Sequence, residues 1–498
     1  MKVCTIGTGY VGLSTAICLA YLGHEVRGFD IDKRKIASLQ RSTLPIYEPG
    51  LQALLGLVKE KITFVDDPAL ALCDAEVIFI TVGTPSLADG RPDLRYLQSA
   101  AEIIGKHRTE NFAVIVTKST VPIGTNDYLE HLVRQSYRIS YSESEQRFAI
   151  AYNPEFLRQG SAIHDSLYPD RIVVGSNSVR ALETLSGLYR PIIDQTFEAP
   201  RFLPRPDNLR RVPLVTAALT SAEIIKYAAN AFLALKISFA NELAELSECV
   251  NADISQIVHG IGIDRRIGQQ FLQAGLGWGG SCFGKDTAAL IETARDYGVE
   301  MRIVRAARDV NYRQRERVIE KLTRELGSLG GKVVGLLGLA FKPHTDDLRD
   351  GPSLDIGRRL LERGARVRAH DPVALPRARV ECHTASIQLC ESLDQLAKGA
   401  HALVLVTEWP EYGTLRWEGL GSTMRNRFIL DARNFLDRKE LESVGFRYVG
   451  IGGRDRLFTE GADASTRAMV RGSISARETV FSRRTVSEMF SQSLRLSG

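Results

Sequence analysis

A cysteine in a glycine-rich segment is the first candidate for chemistry in this sequence. Residues 275–286 read GLGWGGSCFGKD, so Lys285 and Asp286 closely follow Cys282. The glycines let a ligand approach, and the nearby lysine favours a reactive thiolate that can attack a carbonyl carbon. The alternative is that Cys282 is a small buried apolar side chain. We expect that simpler role for the other six cysteines: Cys4, Cys18, Cys73, Cys249, Cys382 and Cys390.

A lysine and an asparagine four residues apart form the second candidate. Lys226 and Asn230 lie in an Ala/Leu/Ile/Glu-rich run that starts at about Pro213 and has no internal glycine or proline, which predicts one long helix. Their spacing puts both side chains on one helical face, where they can stabilise negative charge on an oxygen. The alternative is a pair of solvated surface residues.

The N-terminus carries a pattern typical of dinucleotide binding. Residues 7–12 read GTGYVG between a predicted strand and a predicted helix, and Asp30 ends the next predicted strand. These glycines let the backbone approach a pyrophosphate, while an acid at this distance binds ribose hydroxyls and repels a 2′-phosphate. The pattern predicts NAD as the cofactor, and Lys35 near Asp30 leaves NADP as an alternative. The alternative for the loop itself is an ordinary glycine-rich turn that binds no cofactor. The predicted loop contacts are Gly7, Gly9, Tyr10, Val11 and Gly12.

Short β-branched runs alternate with helical patterns in two parts of the chain. Strands are predicted at 3–6, 25–29, 77–82, 114–118, 331–337, 366–369, 402–407 and 427–431, and a helix at 353–363. This alternation predicts an α/β fold of two Rossmann-like doubly wound domains joined by the long central helix. In such sheets the ligand binds at the carboxyl ends of the strands.

The composition changes suggest four segments. We predict an NAD-binding domain over 1–210, a central helical domain over 211–325, a second α/β domain over 326–454 and a flexible Ser/Thr/Arg-rich tail over 455–498. The central helix is a candidate dimer surface, with packing inside one subunit as the alternative. A short docked helix is the alternative for the tail.

Length, composition and charge exclude several classes of protein. A chain of 498 residues with 44% hydrophobic and 25% charged side chains can form several globular cores. A net charge of +5 is too small to predict a nucleic-acid or membrane partner. The sequence has no signal-peptide pattern, no apolar run of about 18 residues and no metal-ligand spacing. We therefore expect a cytoplasmic protein with reduced thiols, a small-molecule substrate and no metal.

Six motifs occur in an order that resembles one known family. They are GTGYVG at 7–12, VGTP at 82–85, KSTVPIGT at 118–125, NPEFLRQG at 153–160, SAEIIKYAANAF at 221–232 and GGSCFGKD at 279–286. Over residues 1 to about 450 the chain resembles the UDP-glucose/GDP-mannose dehydrogenase family, and it is most similar to the members that oxidise UDP-glucose. The resemblance implies two successive NAD-dependent oxidations of the C6 alcohol to give UDP-glucuronate, as used in polysaccharide biosynthesis, by a homo-oligomer that is at least a dimer.

The resemblance also implies a covalent mechanism. Either Lys226 or a water held by Asp286 and Thr120 takes the alcohol proton. The thiol of Cys282 then adds to the aldehyde, and oxidation of the thiohemiacetal gives a thioester. Glu155 matches the acid/base of thioester hydrolysis, with Thr120 orienting the water. The alternatives are a capping or ion-paired role for Glu155 and a backbone-bonded strand-end hydroxyl for Thr120. The implied catalytic set is Cys282, Lys226, Asn230, Glu155, Asp286 and Thr120.

Further binding residues follow from the same matching. Besides the glycine loop and Asp30, the implied cofactor contacts are Lys35, Thr84, Thr120, Gln159, Lys285 and Arg349. The implied substrate contacts are Glu155, Phe156, Leu157, Arg158, Lys226, Asn230, Arg266, Trp278, Gly279, Lys342 and Arg433. Among these, Arg266 is expected to reach the sugar across a subunit interface, Trp278 to cover the sugar ring, and Lys342 and Arg433 to contact the UDP part from the C-terminal domain.

Two departures from the family pattern leave alternatives open. Gln159 stands where many relatives have glutamate, and Trp278 stands where phenylalanine or tyrosine is commoner. The first removes a carboxylate, and the second can narrow the sugar pocket. GDP-mannose or another nucleotide sugar is therefore an alternative substrate. A non-catalytic nucleotide-sugar-binding protein and a two-electron 3-hydroxyacid or 6-phosphogluconate dehydrogenase are alternatives of other kinds.

Overall fold

The first sheet has eight strands, and the N-terminal glycine loop follows its strand β1. The computed structural model describes residues 1–107, 111–137, 147–381 and 386–453. The spatial order is β3-β2-β1-β4-β5-β6-β7-β8. The strands are β1 (Lys2–Ile6), β2 (Glu25–Phe29), β3 (Ile62–Val65), β4 (Val77–Ile80), β5 (Ala113–Thr117), β6 (Phe148–Tyr152), β7 (Ile172–Gly175) and β8 (Leu214–Ala217). Strands β1 to β6 pair in parallel, and β7 is antiparallel to β6.

Helices cover both faces of this sheet. They are α1 (Tyr10–Tyr21), α2 (Lys33–Gln40), α3 (Leu51–Leu57), α4 (Pro68–Leu72), α5 (Arg95–His107), α6 (Thr125–Tyr137), α7 (Ala162–Leu167) and α8 (Val179–Ile193). Successive residues of β1 point to opposite faces, so Val3 joins one apolar cluster while Cys4 and Ile6 join the other. Burial on both faces explains why the strands read as continuous apolar runs.

Four helices connect the two sheets: α9 (Leu219–Val250), α10 (Ile254–Gly262), α11 (Phe283–Asp296) and α12 (Arg302–Leu326). The long helix α9 starts at Leu219, later than the sequence predicted. The residues before it, predicted as helical, form β8, because they pair in parallel with β7 at the edge of the first sheet. This strand lies beyond the expected domain boundary at residue 210.

The second sheet is entirely parallel, with the order β11-β10-β9-β12-β13-β14. Its strands are β9 (Val333–Leu337), β10 (Arg366–His370), β11 (Ile387–Leu389), β12 (Ala402–Leu405), β13 (Phe428–Asp431) and β14 (Arg447–Val449). Its helices are α13 (Pro352–Glu362), α14 (Leu375–Glu381), α15 (Leu393–Ala397), α16 (Trp417–Thr423) and α17 (Arg438–Ser443), with a 3₁₀ helix at Pro410–Thr414.

The structure confirms the predicted fold of two doubly wound α/β domains joined by a long helix. Both sheets follow the 3-2-1-4-5-6 order of that fold, the first with two further strands. No helix of the described residues has the length and apolarity needed to cross a membrane. The interpretations of Cys382 and of the tail 455–498 concern residues outside the described ranges.

Candidate active site

A cleft of about 790 Å³ lies between the first sheet, the cysteine segment and the second domain. It opens at the carboxyl ends of β1, β4 and β5, as expected for a doubly wound sheet. Eleven of the predicted site residues line it: Gly9, Tyr10, Val11, Thr84, Thr120, Glu155, Leu157, Gln159, Cys282, Lys285 and Arg349. The cleft therefore brings residues from five of the six motifs to one place.

Cys282 lies at the wall of the cleft, immediately before the first residue of α11. Burial raises the pKa of its thiol, and the carboxylates of Glu155 and Asp286 add to that effect. The ammonium groups of Lys226 and Lys285 oppose it but do not outweigh it. The sequence predicted a thiolate favoured by its neighbours. The structure instead gives a thiol with a raised pKa, because the two carboxylates and burial act against the two cations.

Lys226 forms a buried ion pair with Glu155. The Nζ atom of Lys226, on α9, lies 3.1 Å from Oε1 of Glu155, which follows β6. Burial alone would lower the pKa of Lys226, but the surrounding negative groups, foremost Glu155 and Asp286, hold it above its ordinary value. A lysine that keeps its proton can stabilise an oxyanion but cannot accept a proton. This result argues against the first of the two bases considered from the sequence.

Asp286 joins Asn230 to the cysteine helix. Its carboxylate is fully buried and accepts hydrogen bonds from Nδ2 of Asn230 at 2.6 Å and from Nζ of Lys285 at 2.5 Å. Its backbone N–H donates to the carbonyl of Cys282 within the first turn of α11. The helical spacing of Lys226 and Asn230 thus places one side chain on Glu155 and the other on Asp286.

Thr120 lies in the loop between β5 and α6. Its carbonyl oxygen accepts a hydrogen bond of 2.9 Å from Oγ1 of Thr84, and both residues line the cleft. Lys118 is the first residue of this loop, and its partly buried Nζ donates to Oδ1 of Asn153 at 2.8 Å. Burial lowers the pKa of Lys118 to about 8. The loop after β5 and the segment carrying Glu155 are therefore tied to each other behind the cleft.

The glycine loop has the geometry of a diphosphate cradle. A Cβ at Gly12 would lie 1.9 Å from the carbonyl oxygen of Gly7, so only glycine fits where the loop meets α1. A Cβ at Gly9 would meet nothing within 4 Å, and Gly9 lines the cleft. Open space above backbone at a helix N-terminus suits a pyrophosphate. These residues fit a bound dinucleotide.

Asp30 sits beside this loop at the end of β2. Its Oδ2 accepts hydrogen bonds of 2.8 Å from both the backbone N–H and the hydroxyl of Thr8, and its Oδ1 accepts one from Asp32. Burial raises its pKa, but these hydrogen bonds and Lys35, whose Nζ lies 3.8 Å away, lower it below the ordinary value. The carboxylate is therefore ionised and fixed against the glycine loop.

The segment after Glu155 is held by internal contacts. The backbone N–H of Leu157 donates to Oε2 of Glu155 at 2.7 Å, and the guanidinium of Arg171 lies 3.6 Å from the ring centre of Phe156. Arg158 pairs with Asp165 at 2.7 Å and is half exposed. These contacts order the segment that the sequence assigned to substrate, and they leave Leu157 and Glu155 facing the cleft.

Trp278 is buried beneath the glycine run. Its indole N–H donates to Oγ of Ser238 at 3.2 Å, and its backbone N–H donates to Asn311. The next residue, Gly279, lies so close to the second domain that a Cβ there would be 2.4 Å from the carbonyl oxygen of Asp350. In the described structure Trp278 therefore packs the cysteine segment onto α9 and α12 instead of covering the cleft.

Of the eleven predicted substrate contacts only Glu155 and Leu157 line the cleft, and Lys342, Arg433 and Arg266 are among those that do not. Lys342 is largely buried, and burial together with Arg158 lowers its pKa. Arg433 donates to the carbonyl oxygens of Val406 and Phe341, at the edge of the second sheet. Arg266 is largely exposed and pairs with Asp264 at 2.6 Å. Within one chain the structure does not bring Arg266 to the site.

Sequence reasoning missed two residues that shape the site. Arg308 of α12 lines the cleft and donates to Oγ1 of Thr287 at 2.6 Å, which holds the start of α11. Glu48 is buried and accepts hydrogen bonds from the backbone N–H groups of Gly160 and Ala162 at 2.8 and 2.7 Å. The only sequence signal for Glu48 was an acid between tyrosine and proline in a loop, which does not identify its partner.

Comparison with known proteins gives consistent matches along the chain. Residues 1–193, 220–313 and 335–438 match the NAD binding, central and UDP binding domains of the UDP-glucose/GDP-mannose dehydrogenase family. The chain is 43% identical to the UDP-glucose 6-dehydrogenase of Pseudomonas aeruginosa, over 91% of this chain and 97% of that protein. It is 40% identical to UDP-glucose 6-dehydrogenase TuaD of Bacillus subtilis, over 91% and 93%.

A solved structure has the same fold. A UDP-glucose dehydrogenase from the hyperthermophilic archaeon Pyrobaculum islandicum superposes with a TM-score of 0.79 at 36% identity, covering 91% of this chain and 98% of the other. Together with the family matches, this similarity establishes an NAD-dependent dehydrogenase with a nucleotide-sugar-binding domain.

Proposed function

Since the chain belongs to the UDP-glucose/GDP-mannose dehydrogenase family, we propose that it oxidises the C6 alcohol of UDP-glucose twice and releases UDP-glucuronate. The observation that carries this proposal is that Cys282 and Glu155 line one cleft, while the buried Lys226 pairs with Glu155 and the buried Asn230 with Asp286 behind its wall. A two-electron alcohol dehydrogenase has no need of such a thiol. The names of the relatives support UDP-glucose as the sugar nucleotide.

A bound NAD would supply the hydride acceptor for each oxidation. The glycine loop and Asp30 would hold it, with the loop backbone facing the pyrophosphate and the carboxylate facing a ribose. The ionised Asp30 would repel a 2′-phosphate, which favours NAD over NADP. Among the remaining implied cofactor contacts, Thr84, Thr120, Lys285 and Arg349 line the same cleft.

In the first oxidation the alcohol loses its proton and a hydride. We assign proton acceptance to a water held by Asp286 and Thr120, because the raised pKa of Lys226 keeps that side chain protonated. The Lys226 ammonium then stabilises the developing alkoxide together with the Asn230 amide. The product of this step is the aldehyde.

In the second oxidation Cys282 forms a covalent bond to the substrate. Its Sγ adds to the aldehyde carbon, and the thiol proton passes to the carbonyl oxygen, which gives a thiohemiacetal. Loss of the hydroxyl proton and of a second hydride converts this adduct to a thioester. The raised pKa of the thiol means that the proton moves during addition, in reach of the Lys226–Glu155 pair.

Hydrolysis releases the product. We assign Glu155 as the base that takes a proton from water as the water attacks the thioester carbon. The C–S bond of the tetrahedral intermediate then breaks, and the departing sulfur takes the proton from Glu155, which restores the Cys282 thiol. Lys226 beside it stabilises the tetrahedral oxyanion. Each cycle would then consume one UDP-glucose, one water and two NAD⁺, and yield UDP-glucuronate, two NADH and three protons.

We also propose a homodimer formed through α9, in a reducing compartment such as the cytoplasm. Four large apolar side chains recur along one exposed side of this helix: Phe232, Phe239, Leu246 and Val250, between 48% and 63% exposed. An apolar stripe of this length on a helix favours burial against another surface. A Phe239→Glu variant is expected to shift the mass measured by light scattering to that of a monomer, and an unchanged oligomer would contradict this interface.

The test of the proposed reaction is the number of NADH molecules formed for each UDP-glucose consumed. We expect about two for the wild type and loss of turnover in Cys282→Ser. The serine hydroxyl is a poorer nucleophile than the thiol, and the oxygen ester that it would form is hydrolysed more slowly than a thioester. Cys249→Ser is the matched control, since Cys249 is exposed and outside the cleft. A ratio of about one, or full turnover in Cys282→Ser, would overturn the mechanism, and faster oxidation of GDP-mannose or UDP-N-acetylglucosamine would overturn the substrate.

A further inference from the structure

The amide of Gln159 makes contacts with both of its polar atoms across the cleft. Its Nε2 donates to Oδ2 of Asp347 at 2.9 Å, and its Oε1 accepts from the hydroxyl of Thr345 at 3.1 Å. Gln159 belongs to the first domain, whereas both partners lie in the loop that follows β9 of the second. The side chain is thus a direct polar link between the domains, made at the wall of the cleft.

The backbone beside Gln159 is clamped from two sides. Gly160 has a φ of +84°, and a Cβ there would lie 2.9 Å from both Cβ and the carbonyl oxygen of His344, so the two loops are in close contact. On the other side, Glu48 accepts the backbone N–H of Gly160. The position of the Gln159 amide is therefore fixed before it meets the second domain.

The carboxylate that Gln159 contacts also holds Arg349. Asp347 is 1% exposed and receives Nε and Nη2 of Arg349 in a bidentate pair, with a shortest distance of 2.6 Å. Burial raises the pKa of Asp347, but the hydrogen bonds from Arg349 and Gln159 lower it below its ordinary value. Arg349 in turn lines the cleft. One chain of contacts therefore runs from the Glu155 segment to a cation at the cleft wall.

We propose that Gln159 is a positioning residue that joins the two domains over the cleft and, through Asp347, sets the place of Arg349. An amide suits this position because it donates to a carboxylate and accepts from a hydroxyl at once. A glutamate would bring a second carboxylate within hydrogen-bond distance of the buried Asp347, and one of the two would have to move or take up a proton. This inference rests on the proposed function only where turnover of UDP-glucose is the readout.

The test is a double-mutant cycle on the full-length protein with Gln159→Glu, Asp347→Asn and the double variant. Gln159→Glu is expected to raise KM for NAD and the Kd for NADH about ten- to a hundred-fold, with a smaller change in kcat, because a charge-assisted hydrogen bond is lost and a repulsion gained. The double variant restores one donor and one acceptor at this contact, but the new Nδ2 faces the Arg349 guanidinium, which also donates to Oδ2 of Asp347. We therefore expect partial recovery, with NADH binding at least about three-fold tighter than in the weaker single variant and still weaker than in the wild type. Gln98→Glu is the matched control: Nε2 of Gln98 donates to the exposed hydroxyl of Tyr128, and a carboxylate there can accept a hydrogen bond from that hydroxyl instead.

The outcomes separate this inference from the proposed reaction. Unchanged NADH binding in Gln159→Glu, or a double variant no better than the weaker single, would overturn the positioning role. If the wild type does not oxidise UDP-glucose, the proposed substrate fails while the NADH-binding arm still decides the role of Gln159. Thermal unfolding is followed for each variant. Should Gln159→Glu not fold, Gln159→Ala takes its place, with an expected loss in NADH binding of about three- to ten-fold and no loss as the contradicting result.

Discussion

The two sheets share one strand order but use the loop after their first strand, β1 or β9, in different ways. After β1, the N–H of Gly7 donates to the carbonyl of Phe29 at 2.7 Å, and after β9 the N–H of Gly338 donates to that of His370 at 2.8 Å. Both glycines have a φ near +100°. The residue after each second strand is an aspartate, Asp30 in the first domain and Asp371 in the second.

The two aspartates differ in what surrounds them. Asp30 receives three hydrogen bonds from Thr8 and Asp32 and lies beside the open cradle of the glycine loop. Asp371 is 1% exposed and already accepts five hydrogen bonds, whose donors are the N–H groups of Leu339, Ala340, Val373 and Ala374 and the indole of Trp409. No acceptor capacity is left there for a ribose.

The loops differ in the same sense. In the first domain α1 begins at Tyr10, directly after Gly9 of the glycine loop, which puts the helix N-terminus at the diphosphate cradle. The second runs from Leu339 to Gly351 before α13 begins, and it carries Lys342, Asp347 and Arg349 towards the first domain. The loop between the first strand and the first helix of the sheet thus forms a cofactor cradle in the first domain. In the second domain the same connection supplies residues to the wall of the cleft.

The largest expected effect separates a catalytic lysine from a lysine of the second loop. Lys226→Met is expected to lower kcat by about three orders of magnitude, because the oxyanion loses its buried cation. Lys342→Met, the matched buried lysine of the second domain, is expected to raise KM for UDP-glucose about ten-fold with a smaller loss in kcat. Steady-state kinetics of both variants check this contrast. Equal losses in kcat would contradict the division of roles between the domains.

An intermediate effect is expected from the paired aspartates. Asp371→Asn replaces an acceptor-only carboxylate by an amide whose N–H₂ faces buried donors, and should lower the free energy of unfolding by about 3 kcal/mol. Asp30→Asn should change stability by less than about 1 kcal/mol yet raise KM for NAD about ten-fold. Chemical denaturation and NAD kinetics of both variants measure the two quantities. The comparison fails if Asp371→Asn affects NAD binding more than Asp30→Asn does.

The smallest expected effect concerns pH and the clamp under Gly160. Burial raises the pKa of Glu48 from 4.5 to about 7, despite the hydrogen bonds from Gly160 and Ala162. Between these values the folded protein holds a proton that the unfolded chain releases, so the contribution of Glu48 to stability is present at low pH and is lost as pH rises towards 7. Relaxation of the structure around a buried charge reduces the expected change to about 2 kcal/mol.

Denaturation of the wild type and of Glu48→Gln at several pH values measures this contribution. The difference in free energy of unfolding between the two proteins should fall by that amount from about pH 5 to about pH 8. A difference that stays constant, or grows with pH, would show that the Glu48 carboxylate is ionised throughout and holds the loop by charge.

The sequence was sufficient where chemistry restricts residue types over a short span. The glycine loop, the Lys226–Asn230 spacing and the segment around Cys282 each lie within about a dozen residues. The helix after the glycine loop and the long helix that carries Lys226 and Asn230 are present as predicted. The predicted start of α9, at about Pro213, was wrong because strand pairing, which depends on distant residues, competes with helix propensity.

Other features required three dimensions. The partners of Gln159 lie 186 and 188 residues away, and no local pattern identifies them. The protonation of Lys226 depends on the balance between burial and two carboxylates that the fold brings together. Likewise the burial of Trp278 on Ser238 follows from how the cysteine segment packs on α9, a contact between distant residues.

The central claim is that Cys282 carries the substrate between the two oxidations, and intact-protein mass spectrometry tests it most directly. In Glu155→Gln, hydrolysis of the thioester should slow by about a hundred-fold or more, because the assigned base is removed. After mixing with UDP-glucose and NAD, we expect this variant to gain the mass of UDP-glucose less four hydrogen atoms, with the adduct located on Cys282 by peptide mapping. Formation of UDP-glucuronate with no adduct at any time, or an adduct on another residue, would contradict the account.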